Sequence, residues 1–274
     1  MLSQSVAGGG GTAIHVAETG DPGGPPILFI HGWSQAHLCW RHQFEGSELG
    51  RFRLVAMDLR GHGMSGRPDR AEDYADGALW ADDVAAVIDG LRLPRPVLVA
   101  WSYGGVVVGD YLSKYGADAI GGVNLVGGAV VLGPDAFGSL IGPGFLEHAP
   151  TACSPDLAES IGAVRALLRA CTAEEMTPDD FETCLAFTMV VPPSVRGFLL
   201  ARSLDLRPMY EAARTRLLVS HGRADTFVLP AMAEAVAARC PWAETAWYDG
   251  VGHAPFIEAP ARFNSDLARF ASAA

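Results

Sequence analysis

The first residue that points to chemistry is Ser102, which lies in the stretch V-L-V-A-W-S-Y-G-G-V-V-V, residues 97–108. This pattern predicts a buried strand, a very tight turn and a helix. A serine at such a turn has a strained backbone and an exposed hydroxyl, and the residues two positions away must be small. Gly104 meets that requirement, whereas Ala100 stands where the pattern G-x-S-x-G has glycine. Ser102 is therefore a candidate nucleophile, and the alternative is an ordinary serine on a strand-to-helix turn.

A serine nucleophile needs a base that takes its proton and an acid that orients the base. Among the eight histidines, His253 follows Gly-Val-Gly on a loop before Pro255, and such a loop can reach over the serine. Asp225 follows a predicted strand and is the candidate acid. The chain order Ser, Asp, His is one in which this catalytic set occurs.

Two other acids compete for the role of Asp225. Asp58 lies in the stretch D-L-R-G-H-G-M-S, where an ion pair with Arg60 that braces the turn explains it better. Asp249 is near His253 in the chain, but nearness in sequence does not provide the required geometry.

The remaining histidines are interpreted structurally. We expect His15 on the surface of an edge strand, and His37 and His42 on the solvent side of a helix. Three others are expected to support turns or strand ends, namely His31, His62 and His221.

An acyl-transfer intermediate carries a negative oxygen that needs two preset N–H donors. The backbone N–H of Tyr103, directly after the serine, is one candidate. The second is the backbone N–H of Trp33, where Gly32 allows a close approach of the chain. We expect Gly32 and Trp33 to contact the substrate, although the Trp33 ring can also pack in the core.

These residues follow short apolar strands that alternate with helices, which predicts a mostly parallel sheet with helices on both faces. Ligands bind beyond the carboxyl ends of such strands, where all the motifs above lie. The alternation stops in residues 133–208, which have helical patches and no clear strand. The sequence therefore predicts a core in residues 1–132 and 209–274, with a helical cap in residues 133–208.

Composition limits the partners. The chain has 274 residues, 49% of them hydrophobic, and a formal net charge of −11, which argues against nucleic acid or an anionic membrane as a partner. The five scattered cysteines include no C-x-x-C pair, and no metal or nucleotide-cofactor motif is present. No signal peptide and no apolar run of ~18 residues is recognised, so we expect a cytoplasmic protein without a cofactor that acts on a small molecule.

Five motifs, H-G-W, D-L-R-G-H-G-M-S, A-W-S-Y-G-G, H-G-R-A-D and G-V-G-H-A-P-F-I-E-A-P, resemble those of the α/β-hydrolase superfamily in order and spacing. The resemblance covers nearly the whole chain. It implies an eight-stranded, mostly parallel sheet with a helical cap after the sixth strand. It also implies a catalytic triad of Ser102, Asp225 and His253, with Trp33 and Tyr103 as backbone donors to the oxyanion.

Within the superfamily, the motifs look like those of small bacterial esterases, cofactor-free haloperoxidase-like enzymes and acyl-homoserine lactonases. The resemblance therefore implies hydrolysis of a largely apolar carboxylic ester or lactone through an acyl-enzyme. Lactonase or perhydrolase activity on the same triad, and a binding protein without catalysis, remain alternatives. Dehalogenases and epoxide hydrolases of this fold use aspartate as the nucleophile, so Ser102 argues against both.

Overall fold

The central feature of the fold is a large sheet. A computed structural model describes residues 1–273, and this part of the chain has ten strands: β1 (Leu2–Ala7), β2 (Ala13–Gly20), β3 (Pro26–Ile30), β4 (Arg53–Met57), β5 (Val97–Trp101), β6 (Gly122–Val126), β7 (Val131–Leu132), β8 (Leu204–Asp205), β9 (Leu217–Gly222) and β10 (Glu244–Tyr248). Eight of them form one sheet in the order β1-β2-β4-β3-β5-β6-β9-β10. Strand β2 runs antiparallel to β1 and β4, and the other pairs are parallel. The predicted eight-stranded, mostly parallel sheet is confirmed.

Helices cover this sheet and fill the region after β6. Those in residues 1–273 are α1 (Arg41–Glu45), α2 (Glu72–Ala75), α3 (Gly77–Gly90), α4 (Gly104–Tyr115), α5 (Pro143–Leu146), α6 (Ala149–Ala152), α7 (Leu157–Cys171), α8 (Pro178–Val190), α9 (Pro193–Leu200), α10 (Arg207–Ala213), α11 (Pro230–Arg239), α12 (Pro255–Glu258) and α13 (Pro260–Ala271). Strand β5 lies between β3 and β6, so the carboxyl ends of three buried strands meet at Ser102.

The segment after β6 is helical, as its sequence pattern indicates. Helices α5 to α9 lie between β7 and β8, which pair with each other and not with the main sheet. Local signals begin the two long helices: the Asp156 side chain accepts from the Glu159 N–H, and the Thr177 hydroxyl accepts from the Asp180 N–H. The cap boundaries at residues 133 and 208 stay a prediction.

One predicted helix, that of His37 and His42, is wrong in detail. The helix expected around residues 37–49 is a 3₁₀ turn (His37–Trp40), the short helix α1 and a second 3₁₀ turn (Ser47–Leu49), because Gly46 has an extended backbone between them. The helical spacing of residues 75–91 is confirmed by α3, which begins two residues later because the side chain of Asp76 accepts from the Ala78 N–H.

The sequence predicts no membrane span. Over residues 1–273, no single helix has both the length and the apolar composition of one. Helices α8 and α9 meet that test only as a pair, and they are bent by 86° at the break between them.

His31 and His62 brace the loops that follow β3 and β4, as predicted. The His31 Nδ1–H donates to the Gly32 carbonyl at 2.8 Å, and its Nε2 accepts from the Leu59 N–H at 3.1 Å. In the same way His62 donates to the Arg60 carbonyl at 2.8 Å and accepts from the Ser34 N–H at 3.1 Å. Each ring therefore needs one nitrogen without a proton. Burial lowers the pKa of His31 to about 4 and that of His62 to about 3.

Because these two histidines are held neutral in the folded protein, we expect its stability to decrease as the pH is lowered. The unfolded chain takes up protons below the ordinary histidine pKa of about 6.5, whereas the folded rings stay neutral until about pH 4 and below. The free energy of unfolding should therefore fall as the pH is lowered through this window, by roughly 1–2 kcal/mol per histidine between pH 7 and 5. Urea unfolding at the two pH values measures the change.

Two variants test whether His62 contributes to this pH dependence. His62→Gln should reduce the difference between the two pH values, while the control His148→Gln, at a half-buried ring without a hydrogen bond in the described chain, should leave it unchanged. An equal free energy of unfolding at pH 7 and pH 5 in the wild type would contradict the prediction.

Candidate active site

Ser102 lies at a sharp turn between β5 and α4. Its φ of +53° is in the left-handed region, which is uncommon for a residue with a side chain. Backbone hydrogen bonds hold it there: its N–H donates to the Val126 carbonyl at 3.0 Å, and its carbonyl accepts from the N–H groups of Gly105 and Ala129, both at 2.9 Å. The half-buried hydroxyl is thus fixed in place at the end of the strand.

Small residues make room for this turn. A Cβ on Gly104 would lie 2.6 Å from the Ile30 carbonyl oxygen, and a Cβ on Gly32 would lie 2.9 Å from Ser102 Cβ. Both glycines are therefore required by close packing. Ala100, which departs from the G-x-S-x-G pattern, is buried in β5 and pairs with Ile30 and Leu125, so its methyl group does not prevent the turn.

Asp225 and His253, which the sequence places on different loops, lie in contact. Asp225 Oδ2 accepts from His253 Nδ1 at 2.8 Å, and both side chains are buried. Because a carboxylate can only accept, Nδ1 carries the proton of this bond, and in the neutral ring Nε2 is the acceptor. The His253 ring lines the same small cavity as Ser102, although within residues 1–273 no hydrogen bond joins the two side chains.

The Asp225 carboxylate stays ionised in spite of its burial. Burial alone would raise its pKa, but the neighbouring His253 and His221 rings outweigh this effect and hold the pKa at about 2. Oδ1 also accepts from the N–H groups of Phe227 and Val228, at 2.8 and 3.1 Å. His221 was predicted to be structural: its Nε2 lies 2.9 Å from the Val228 carbonyl and 3.3 Å from Asp225 Oδ2.

Three residues that sequence reasoning did not point to, Glu258, Cys171 and Trp101, hold the His253 loop. Glu258 accepts from the N–H groups of Gly252 and Ala254, on both sides of the histidine. The His253 N–H donates to the Cys171 carbonyl at 2.8 Å, and the His253 carbonyl accepts from Trp101 Nε1 at 2.9 Å. Glu258 lies five residues after His253 in the motif G-V-G-H-A-P-F-I-E-A-P. Its presence in that motif was the one sequence signal for its contact with the His253 loop.

The two candidate backbone donors lie beside Ser102 and have no acceptor in the described chain. Trp33 and Tyr103 are buried and line a cavity with Ser102, yet neither N–H makes a hydrogen bond within residues 1–273. Buried N–H groups without a partner are rare in proteins. These two are therefore available to a ligand atom at Ser102.

Two cavities meet at Ser102. The larger has a volume of about 240 Å³, and apart from Ser102 and Tyr103 its lining is apolar. The smaller, of about 40 Å³, is lined by His253 together with Gly32, Gln35 and Thr188 among others. Trp33, Ser102, Phe145 and Phe227 line both, so the serine lies at the junction.

The predicted ion pair between Asp58 and Arg60 is wrong. Asp58 accepts from Nδ1 of His15 at 2.9 Å and from Nδ1 of His37 at 3.0 Å, and both rings are buried and not at the surface. His15 is covered because β2 is an inner strand, paired on both sides. Arg60 instead pairs with Asp83 on α3, at 2.7 Å.

The same three side chains are the set in residues 1–273 whose ligand atoms lie close enough for a metal ion, within 4.8 Å of one another. Burial alone would raise the pKa of Asp58, but hydrogen bonds from His15 and His37 hold it well below its usual range. The ring nitrogens that face the carboxylate carry the protons they donate. We interpret the group as a buried hydrogen-bond cluster that joins β2, β4 and the His37 turn.

Comparisons with known proteins agree on one family. The model of the alpha/beta hydrolase family matches residues 27–266. A candidate aryl esterase from Burkholderia cenocepacia has a crystal structure that is 35% identical, with a TM-score of 0.92 over 99% of this chain and 98% of that chain. The esterase RhEst1 from Rhodococcus sp. ECU1013 is 32% identical, with a TM-score of 0.91 over 99% of each chain.

The curated relatives differ in the length over which they match this chain. The AB hydrolase superfamily protein YisY from Bacillus subtilis is 27% identical over 91% of this chain and 92% of its own length. Epoxide hydrolases also match, but over a smaller part: that of Mycobacterium tuberculosis named epoxide hydrolase A is 35% identical over 36% of this chain and 30% of its own length.

The geometry predicts distinct proton resonances for the buried histidines. An imidazole N–H that donates to a carboxylate is strongly deshielded and exchanges slowly when buried. We expect low-field signals from His253 toward Asp225, and from His15 and His37 toward Asp58. Asp225→Asn should remove the first signal alone, and Asp58→Asn the other two, in proton NMR spectra recorded in water.

Acid provides a second check on the same signal. Because the pKa of Asp225 is held at about 2, the His253 signal should persist at pH 4 wherever the protein stays folded. Loss of all three signals in Asp225→Asn, with the fold intact, would contradict the separate assignments.

Proposed function

The chain belongs to the alpha/beta hydrolase family, and from that membership we propose that it is a serine hydrolase that cleaves carboxylic esters through an acyl-enzyme. One observation carries the proposal: the hydrogen-bonded pair of Asp225 and His253 lies at a cavity whose wall includes a serine in a strained turn. These are the three groups that nucleophilic acyl transfer requires.

The reaction begins with attack of Ser102 Oγ on the ester carbonyl carbon. In the neutral ring, His253 Nε2 accepts the serine proton, and the ionised Asp225 stabilises the positive ring that results. The Ser102–His253 contact forms with substrate, since catalytic hydrogen bonds are often long in the free enzyme and tighten in the complex. The carbonyl oxygen becomes an oxyanion that accepts from the N–H groups of Trp33 and Tyr103.

The intermediate then collapses and releases the alcohol, which takes the proton from His253 Nε2. The acyl group remains bonded to Ser102 Oγ. Water enters, gives its proton to His253 and attacks the acyl carbon, and the serine leaves with that proton. The products are the free acid, the alcohol and the unchanged enzyme, so no cofactor is needed to balance the reaction.

Epoxide hydrolysis is the competing reaction, because epoxide hydrolases match this chain over about a third of its length. As the resemblance implies, that chemistry uses an aspartate at the position of the nucleophile, where this chain has Ser102. A serine alkoxide that opened an epoxide would form an ether, which the same triad has no means to hydrolyse. Ester cleavage is therefore the better fit to the residues present.

Ser102→Ala should abolish ester turnover. Removal of one member of such a triad lowers kcat by about 10⁴-fold or more. The assay is release of acid from methyl esters of aromatic and medium-chain acids, followed in a pH-stat, with styrene oxide as the epoxide substrate. Ser113→Ala, on the helix that follows the turn, is the matched control and should keep wild-type turnover.

Three results would overturn the proposal. Ester turnover that survives in Ser102→Ala would exclude this serine as the nucleophile. Turnover of styrene oxide alone would favour epoxide hydrolysis. Wild-type protein that is inert to every ester, while a small ligand raises its melting temperature, would favour a binding protein.

The two cavities suggest which end of the ester lies where. The leaving alcohol must be near His253, which lines only the smaller cavity, so the acyl part occupies the larger, apolar cavity. A cavity of about 150 Å³ is enough for a benzene ring. The larger cavity, at about 240 Å³, accommodates an aromatic or medium-chain acyl group, and the smaller, at about 40 Å³, accommodates a methyl or ethyl group. We therefore infer a preference for short-alcohol esters of apolar acids.

Two isomeric esters test this orientation. Methyl phenylacetate and benzyl acetate have the same atoms, but the aromatic ring is in the acid of one and in the alcohol of the other. We expect kcat/KM for methyl phenylacetate to be at least about tenfold higher, which corresponds to about 1.4 kcal/mol of transition-state stabilisation. N-octanoyl homoserine lactone, whose alcohol stays attached to the acyl part after ring opening and whose acyl part carries a polar amide, should be the poorer substrate in this apolar cavity. The reverse order would contradict the assignment of the cavities.

A further inference from the structure

Arg196 on α9 is a buried arginine without an acidic partner. Its relative exposure is 0%, and no salt bridge in the described chain includes it. Buried arginines are rare and are normally paired with a carboxylate. Burial lowers the pKa of Arg196, but an arginine pKa starts so high that the side chain stays positive at neutral pH. This charge is the strongest unexplained feature near the active site.

Neutral acceptors surround the guanidinium. Nη1 donates to the Ala152 carbonyl at 2.6 Å and to Ser160 Oγ at 2.9 Å, and Nη2 donates to the Thr188 carbonyl at 2.7 Å. These acceptors belong to three different cap helices, α6, α7 and α8. Nε donates to Ser34 Oγ at 2.9 Å. The side chain therefore joins the helical segment to the loop after β3.

That loop contains one of the two candidate oxyanion donors. Trp33 is the residue before Ser34, and its indole N–H donates to the Arg196 carbonyl at 3.0 Å. Ser34 itself is buried with a φ of +60°, a conformation that is unfavourable for serine and must be held by its surroundings. Arg196 thus contacts both residues through separate atoms, one from its backbone and one from its side chain.

We propose that Arg196 is a positioning residue for ester hydrolysis, which fixes the Trp33 backbone N–H toward the oxyanion by holding Ser34 in its strained conformation. The inference rests on the proposed function, because it assumes that Trp33 donates to an oxyanion. The link runs from the guanidinium to Ser34 Oγ and from there, along one peptide bond, to Trp33. Its side chain lines neither cavity, so it makes no direct contact with a bound acyl group.

The kinetic constants distinguish a positioning role of Arg196 from a merely structural one. A group that acts only on the transition state lowers kcat and kcat/KM together and leaves KM nearly unchanged. A group that only stabilises the fold lowers the fraction of active protein, and the turnover of each active molecule stays the same. Titration of active serines with a fluorophosphonate therefore has to accompany the kinetics.

Ser34→Ala is the mildest test, because it removes the contact to Nε and leaves the other guanidinium bonds in place. Arg196→Lys keeps the positive charge but loses the planar guanidinium with its several N–H donors, and Arg196→Met loses both. Arg53→Met is the control, since it breaks an ion pair with Glu18 on β2 and β4, in the antiparallel part of the sheet. With methyl phenylacetate, we expect kcat per active serine to fall about tenfold in Arg196→Met and less in the other two, with KM within about twofold. Arg53→Met should keep the wild-type kcat.

A double variant and a measurement without substrate complete the test. Ser34→Ala and Arg196→Met should not be additive, because they remove the same contact. Backbone hydrogen exchange over residues 32–35 should be faster in both variants than in the wild type and in Arg53→Met.

The outcomes separate the two proposals. Unchanged kcat per active serine in both variants, or unchanged exchange over residues 32–35, would overturn the role of Arg196. If the wild type hydrolyses no ester while exchange increases as expected, the proposed function fails and the positioning of the Trp33 loop by Arg196 stands.

Discussion

The constraint on which the rest of the site depends is the left-handed backbone of Ser102. Such a conformation costs about 1–3 kcal/mol and persists only where the surroundings enforce it. Here the enforcement is local: three backbone hydrogen bonds fix the residue, and Gly32 and Gly104 leave the space that the turn needs. The hydroxyl is therefore held above the sheet, and the Tyr103 N–H next to it is kept out of the hydrogen bonds of α4. The other parts of the site are arranged around a point that this turn determines.

The same residue types have different roles in two places. Asp58 and Asp225 are both buried carboxylates held ionised by two histidines. Around Asp58 the rings are closed in by strands and make a cluster that joins elements of the fold. At Asp225 one ring, His253, lines a cavity that also contains a serine. A serine hydroxyl, that of Ser3 on β1, also lies 2.7 Å from the other nitrogen of His15. The two histidine–aspartate pairs therefore differ in the cavity beside His253 and in the strained turn that holds Ser102.

Much of this arrangement could be predicted from the sequence, because chemistry-bearing motifs follow apolar strands and the ends of parallel strands meet at one edge. The positions of Ser102, Asp225 and His253 follow from that rule, and the sheet and the helical nature of the segment after β6 follow from local patterns. The partners of Asp58, His15 and His37, could not be predicted, since they come from two segments far from it in the chain. Arg196 gave no signal either: its environment is formed by three helices and a distant loop, and only tertiary packing makes it a buried charge.

The most direct test of the account is to trap the covalent intermediate. Wild-type protein is mixed with an activated ester, quenched in acid within milliseconds to seconds, digested and analysed by mass spectrometry. The account predicts an acyl group on the peptide that contains Ser102, in an amount that matches a burst of released alcohol. Acyl transfer without any adduct on that peptide, or an adduct on a carboxylate elsewhere in the chain, would contradict it.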